Sequence, residues 1–167
     1  MNQLLESLEY DAQRGSLSLQ SARYVLMPPT LLMELQKNLE GTHGREAAQW
    51  FVEAGQGEGT ALAGRFRDVF GYTADQTLGA VAFLLTESGW GTFALEILNL
   101  EGRELVFKVL DSPFAEVHGP SIQPVCHLVL GLLQGVGLVI FDVETTGMEV
   151  QCSAKGDSAC RFVVSAK

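Results

Sequence analysis

The sequence predicts an α+β domain in which an antiparallel sheet packs on a helical layer. Two observations carry this. The segments run strand, helices, strands, helix, strands, which keeps strands and helices in separate blocks rather than alternating them as a parallel sheet requires. The chain is also long and apolar enough for one core, with 167 residues, 47% hydrophobic and 19% charged. Residues 1–15 read as an N-terminal lead-in and residues 16–167 as one domain, without repeat, low-complexity segment or linker.

Residues 1–15 are polar with spaced leucines, suiting a short helix or a frayed end. Ser16 to Met27 reads as one or two strands, because Leu17 and Leu19 alternate with serines and Tyr24-Val25-Leu26 is β-prone. Pro28-Pro29 stops that strand and suits the first turn of a helix. Leu31, Leu32, Leu35 and Leu39 then recur at helical spacing until Thr42 to Gly44 breaks the chain. Arg45 to Phe70 predicts a longer helix, with a kink or a division at Gly55, Gly57 and Gly59. A third helix opens with Thr73 as N-cap and runs to about Ser88.

After Gly89-Trp90-Gly91, Phe93 to Leu98 predicts a strand, Glu101-Gly102 a turn, and Leu105 to Val109 the returning strand. Asp111-Ser112-Pro113 closes that region. Pro120 to Phe141 predicts an apolar helix whose Gly131, Gly135 and Gly137 permit close packing against another backbone, in the same subunit or a partner. Val143 to Cys152 and Arg161 to Ser165 read as the closing strand pair.

A formal net charge of −9 disfavours phosphate backbones and anionic lipid surfaces, so neither nucleic acid nor membrane is an expected partner. The longest apolar run, Leu128 to Ile140, is shorter than the roughly 20 residues a bilayer span needs. The acidic start, Met1-Asn2-Gln3-Leu4-Leu5-Glu6, does not resemble a signal peptide, so a cytoplasmic protein is expected. The chain reaches Lys167 without an ATPase or helix-turn-helix segment and reads as a stand-alone module.

All the cysteine in the chain is Cys126, Cys152 and Cys160, and Glu149 lies close by in sequence. Three thiolates and a carboxylate make one full tetrahedral set for zinc, and a set filled by protein is structural rather than catalytic. Three buried core cysteines, or a disulfide between Cys152 and Cys160 across a hairpin, are the alternatives that the spacing leaves open. Glu149 and Cys152 are three residues apart, which puts them on opposite faces of a regular strand. A bulge or strong twist near Gln151 is required to bring both to one ion.

Glu149-x-x-Cys152-x7-Cys160 followed by Arg161-Phe162-Val163-Val164 resembles the end of the 4-vinyl reductase domain. Pro124-Val125-Cys126 at the start of a long helix, Asp111-Ser112-x-x-Ala115-Glu116-x-His118, and Arg23-Tyr24-Val25-Leu26 before a Leu-rich helix extend the resemblance from about residue 16 to the end. It implies a fold shared with vesicle-tethering subunits and haem-NO-binding sensor domains, usually dimeric, so a homodimer is expected. It also implies a structural zinc at Cys126, Glu149, Cys152 and Cys160, as in the aromatic-sensing domains of bacterial activators. Two positions depart from the phenol-sensing relatives: Val109 aligns with their pocket Trp, and the third helix has no His.

Catalytic chemistry is not evident. Neither His118 nor His127 is paired with a nucleophile, and Gly55-x-Gly57-x-Gly59 lacks the preceding strand of a dinucleotide loop. No nicotinamide or flavin site accompanies the reductase-like resemblance, which favours carrying or sensing a molecule over reducing it. Trp90, Phe93, Phe107 and His118 are the candidate pocket residues for a hydrophobic or aromatic ligand. A protein-assembly module of the vesicle-tethering type and an accessory factor for tetrapyrrole (4-vinyl) reduction are the alternative functions.

Overall fold

The computed structural model describes residues 2–19 and 22–167. Met1, Gln20 and Ser21 lie outside the described residues, so the strand expected over 16–27 is answered only on either side of that gap. The expected α+β architecture is observed. The helices are α1 (Gln3–Glu6), α2 (Pro29–His43), α3 (Arg45–Phe70), α4 (Ala74–Glu87), α5 (Pro113–His118) and α6 (His127–Phe141). The strands are β1 (Glu9–Asp11), β2 (Ser16–Leu19), β3 (Ala22–Tyr24), β4 (Thr92–Asn99), β5 (Glu104–Leu110), β6 (Thr145–Gln151) and β7 (Cys160–Ala166). They form a three-stranded antiparallel sheet in the order β1-β2-β3 and a four-stranded one in the order β4-β5-β7-β6.

The core centres on α6, which packs between α3 and the larger sheet. Leu105, Phe107 and Val109 from β5 and Phe162 and Val164 from β7 meet Val129, Leu133 and Val136 of α6 there. Glycine makes this arrangement possible. A Cβ at Gly131 or Gly135 would collide with the Val52 or Gln56 carbonyl of α3, and one at Gly55 or Gly59 would collide with the Leu128 or Leu132 carbonyl of α6. The two helices therefore cross with backbone against backbone, through glycines on both sides. On the other face of α6, a Cβ at Gly137 would come within 2.9 Å of Val164 Cγ1.

This corrects the expectation for α3. It runs unbroken over 26 residues. Its glycines cost helix propensity, but Gly55 and Gly59 are needed for the α6 contact, and packing outweighs a deficit of about 1 kcal/mol per glycine. The leucine pattern of α2 also points to the wrong inner face. Met33 and Gln36 are buried, whereas Leu31 and Leu35 are exposed, because Gln36 turns inward to donate from Nε2 to the Val125 carbonyl at 3.0 Å.

Other boundaries differ locally. Pro28 and Pro29 start α2 and the Thr73–Gln76 capping box starts α4, both as expected. The helix expected from Pro120 begins at His127, since Pro120 and Pro124 disfavour helical geometry in the residues before them. The short α5 goes beyond the sequence-based expectation. Pro113 occupies its first turn, and the Ser112 hydroxyl accepts from the Ala115 N–H. The N-terminal segment is also more ordered than its composition suggests, because Asn2 caps α1 and β1 pairs with β2.

Candidate metal centre and ligand cavity

Three separate stretches of chain bring the cysteines and Glu149 together. Cys126 is the N-cap of α6, Glu149 lies on β6, Cys152 follows β6, and Cys160 opens β7. Their ligand atoms all lie within 4.8 Å of one another, and all four residues are buried. The bulge that the spacing demanded is present. Glu149 faces Phe162 and Gln151 faces Arg161, so Val150 is an extra residue on β6 and Glu149 is turned towards Cys152.

The donor set fits a metal ion. The cysteines are free, with Cys126 Sγ and Cys160 Sγ 3.8 Å apart, much longer than a disulfide bond. A tetrahedron with metal–sulfur bonds of about 2.3 Å has sulfur–sulfur edges of about 3.8 Å. Glu149 Oε2 accepts from the Cys126 N–H at 2.9 Å, while its Oε1 is buried without a hydrogen-bond partner. A buried carboxylate oxygen left without a donor is costly, and a cation would relieve it.

Polar groups around the cluster hold the sulfurs in place. The Ser153 N–H donates to Cys160 Sγ at 3.4 Å, and the Ser153 hydroxyl lies 3.3 Å from the same sulfur. The Cys152 N–H donates to Asp157 Oδ2 at 2.8 Å, which fixes the turn between the two cysteines. Ser112 Oγ lies 3.7 Å from Cys126 Sγ. Sequence reasoning did not single out Ser153 or Asp157, although the Gly-Asp turn between Cys152 and Cys160 was the available signal.

Without a cation the cluster cannot ionise fully. Burial, then the neighbouring Cys152, pushes the Glu149 carboxyl up to about 8. Hydrogen bonds with Cys152 and Cys160, reinforced by burial, raise the Cys126 thiol. Hydrogen bonds from Cys126 and Cys152 push Cys160 down to about 4. The cluster thus concentrates its negative charge at Cys160.

A cavity of about 420 Å³ lies beneath the N-terminal segment. Its walls come from α1, β2, the residues leading into α2, the middle of α3, the end of α4 and the starts of α5 and α6. Trp90 and Phe114 meet edge to face on one wall with ring centroids 5.0 Å apart. Leucines supply most of the rest, including Leu4, Leu17, Leu62 and Leu132.

Trp90 is the one member of the sequence-derived pocket set among the described lining residues. Phe93 and Phe107 instead pack against each other in the core, with centroids 6.4 Å apart. His118 ends α5, half-buried, with Nδ1 3.2 Å from the Gly119 carbonyl. His127 pairs with Glu40 across α6 and α2 at 3.2 Å, and burial lowers its pKa. Val109 is fully buried opposite Cys160. The leucines at 4, 5, 8, 17 and 19 escaped sequence reasoning because they belong to short elements whose partners lie far away in the chain.

The vinyl-4-reductase domain family matches residues 105–166, the stretch holding the whole cluster. The chain carries a vinyl-4-reductase domain. The matched stretch begins at β5 and includes α6 and the closing β6–β7 pair. Over 174 aligned residues the chain is 27% identical to the phenol regulator MopR of Acinetobacter guillouiae, an alignment covering 96% of this chain and 30% of MopR. The chain therefore spans less than a third of that curated relative. It superposes on the phenol-responsive sensory domain of the transcription activator PoxR, solved with phenol, at a TM-score of 0.84 and 24% identity, covering 98% of this chain and 87% of that one. A trafficking protein particle complex subunit 3 from Naegleria fowleri, covalently bound to palmitic acid, matches at a TM-score of 0.59 and 13% identity, covering 83% and 95%. The fold expected from the sequence is thus shared with both a sensory domain and a tethering-type subunit. No helix among the described residues is long and apolar enough to cross a membrane.

Proposed function

We propose that this chain is a small-molecule sensory domain that holds an apolar ligand in the cavity walled by Trp90 and Phe114, with a structural zinc at Cys126, Glu149, Cys152 and Cys160. The cavity carries the reading. Its volume of about 420 Å³ and its apolar walls suit a compact organic molecule. The likeness to MopR, a phenol regulator, and to the PoxR sensory domain supports an aromatic ligand. Four protein donors would fill the tetrahedron of the metal, so the ion would hold α6 to the β6–β7 pair rather than perform chemistry. The set has soft sulfur and one hard oxygen, which suits zinc.

Native mass spectrometry of untagged protein, paired with elemental analysis, tests both parts. One zinc per chain together with a displaceable organic mass is the expected result. Protein that is free of metal after chelator-free purification would overturn the zinc assignment. Failure to take up any small aromatic or aliphatic molecule would overturn the ligand assignment.

A second reading is favoured by a separate observation. Val25, Leu26, Met27, Leu31 and Leu35 are all exposed on the approach to α2 and along it. Apolar surface of this kind marks association, so the chain also forms a homodimer or an assembly contact through this face. Light scattering tests it: a dimer that Leu31→Glu dissociates supports the contact, and a monomer at every concentration removes it.

A further inference from the structure

We propose that the cavity selects apolar molecules bearing a hydrogen-bond donor head, an amine or a hydroxyl, and that Glu87 receives that head. This rests on the reading of the cavity as a ligand site. Glu87 is the last residue of α4 and lines the cavity beside Ser88 and Trp90. Its Oε2 is shielded from solvent and has no hydrogen-bond partner among the described residues. Its backbone carbonyl is already engaged by Asn2 Nδ2 at 2.8 Å, which fixes the main chain and leaves the carboxylate uncommitted.

Two physical costs converge on that carboxylate. An oxygen withdrawn from water without a donor loses its hydration. A negative group at the C-terminal end of a helix also faces the partial negative charge of the last carbonyls. Both costs are relieved by a donor placed in the cavity, most strongly by a cationic one.

The rest of the lining points the same way. The other polar contributors are Glu58, Ser88 and Tyr24, with no Lys, Arg or His among the described residues of the wall. A carboxylate-headed ligand would meet two acidic side chains and no counter-charge there, within a chain of net charge −9. Leucine walls accept an aliphatic or aromatic body without specifying it, so selectivity falls to the head group.

Calorimetric titration of the full chain with four molecules sharing one body provides the test: ethylbenzene, phenethyl alcohol, phenethylamine and phenylacetate. The alcohol or the amine should bind about tenfold tighter than ethylbenzene, as expected of one charge-assisted hydrogen bond, and phenylacetate should bind most weakly. The amine leading would identify a cationic head, and the alcohol matching it a neutral one. In Glu87→Gln the advantage of the amine should vanish while ethylbenzene is unaffected. Glu87→Asp, with a shorter reach, should lose part of it, and Ser88→Ala should keep it. Equal binding of all four, preference for phenylacetate, or an unchanged preference in a folded Glu87→Gln protein would overturn the role of Glu87 alone. If even ethylbenzene fails to bind, the cavity reading falls and takes this one with it.

Discussion

The Cys126 N–H donates to Glu149 Oε2 at 2.9 Å, joining the start of α6 to β6, while the second oxygen of the same carboxyl stays buried and unpartnered. One side chain thus both ties a helix to the sheet and offers a free oxygen to the three sulfurs beside it. Replacing Cys152 with Ser removes a soft donor from that set. We expect loss of bound zinc by elemental analysis. A loss of about 3 kcal/mol would lower the melting temperature by roughly 6–12 °C for a chain of this size. Full metal retention in this variant would rule out Cys152 as a ligand.

Metal uptake should release protons. With no cation present, burial and Cys152 hold the Glu149 carboxyl up to about 8, so at pH 7 it is mostly protonated, and the Cys126 thiol is held up as well. A metal requires these groups ionised. The metal-loaded fold therefore has ligand pKa values below those of the unfolded chain, and the stability it confers is lost as pH falls. Titrating zinc into metal-free protein in two buffers of different ionisation enthalpy should give different heats. Equal heats would mean that no net proton leaves.

Legibility in the sequence followed the range of the signal. The metal cluster was readable because its residues are chemically distinctive, and the bulge at Val150 was foreseeable because a three-residue spacing between Glu149 and Cys152 cannot serve one ion on a regular strand. Trp90 could be placed near a cavity because it follows a helix end and precedes a strand. Phe93 and Phe107 could not be separated from core, since the same aromatic type fills both environments. The remaining walls come from elements as distant as α1 and α6, and only the tertiary fold brings them together. Gly55 and Gly59 read as helix breakers for the same reason: the helix that needs them lies far along the chain, at Leu128 and Leu132.

That glycine contact makes a paired prediction. In Gly59→Ala the new methyl would strike the Leu132 carbonyl, a backbone atom that cannot swing aside. Overpacking of this sort costs about 1–3 kcal/mol, and α3 and α6 together position Cys126. Gly57 lies on the exposed side of the same helix with open space at its Cβ position. Gly57→Ala should therefore gain up to about 1 kcal/mol from helix propensity. Thermal or urea denaturation of the two variants should move in opposite directions. A shift in the same direction would mean that the crossing has slack.

The chain has two tryptophans, and their settings differ enough to make one a reporter. Trp50 is 39% exposed on α3, beside His43, whereas Trp90 faces the cavity against Phe114. In Trp50→Phe protein the emission comes from Trp90 alone. Filling the cavity with phenethyl alcohol should displace solvent from the indole and shift its emission to shorter wavelength. Leu62 lies on the wall contributed by α3, so Leu62→Trp in place of a ligand should occupy the same space. Titration of that variant, followed by calorimetry because it adds a fluorophore, should show binding reduced by about tenfold or more while the fold survives, since the added volume enters an existing void rather than a packed core. Unchanged binding in the filled variant, or a Trp90 emission that ignores saturating ligand, would place the ligand elsewhere in the domain.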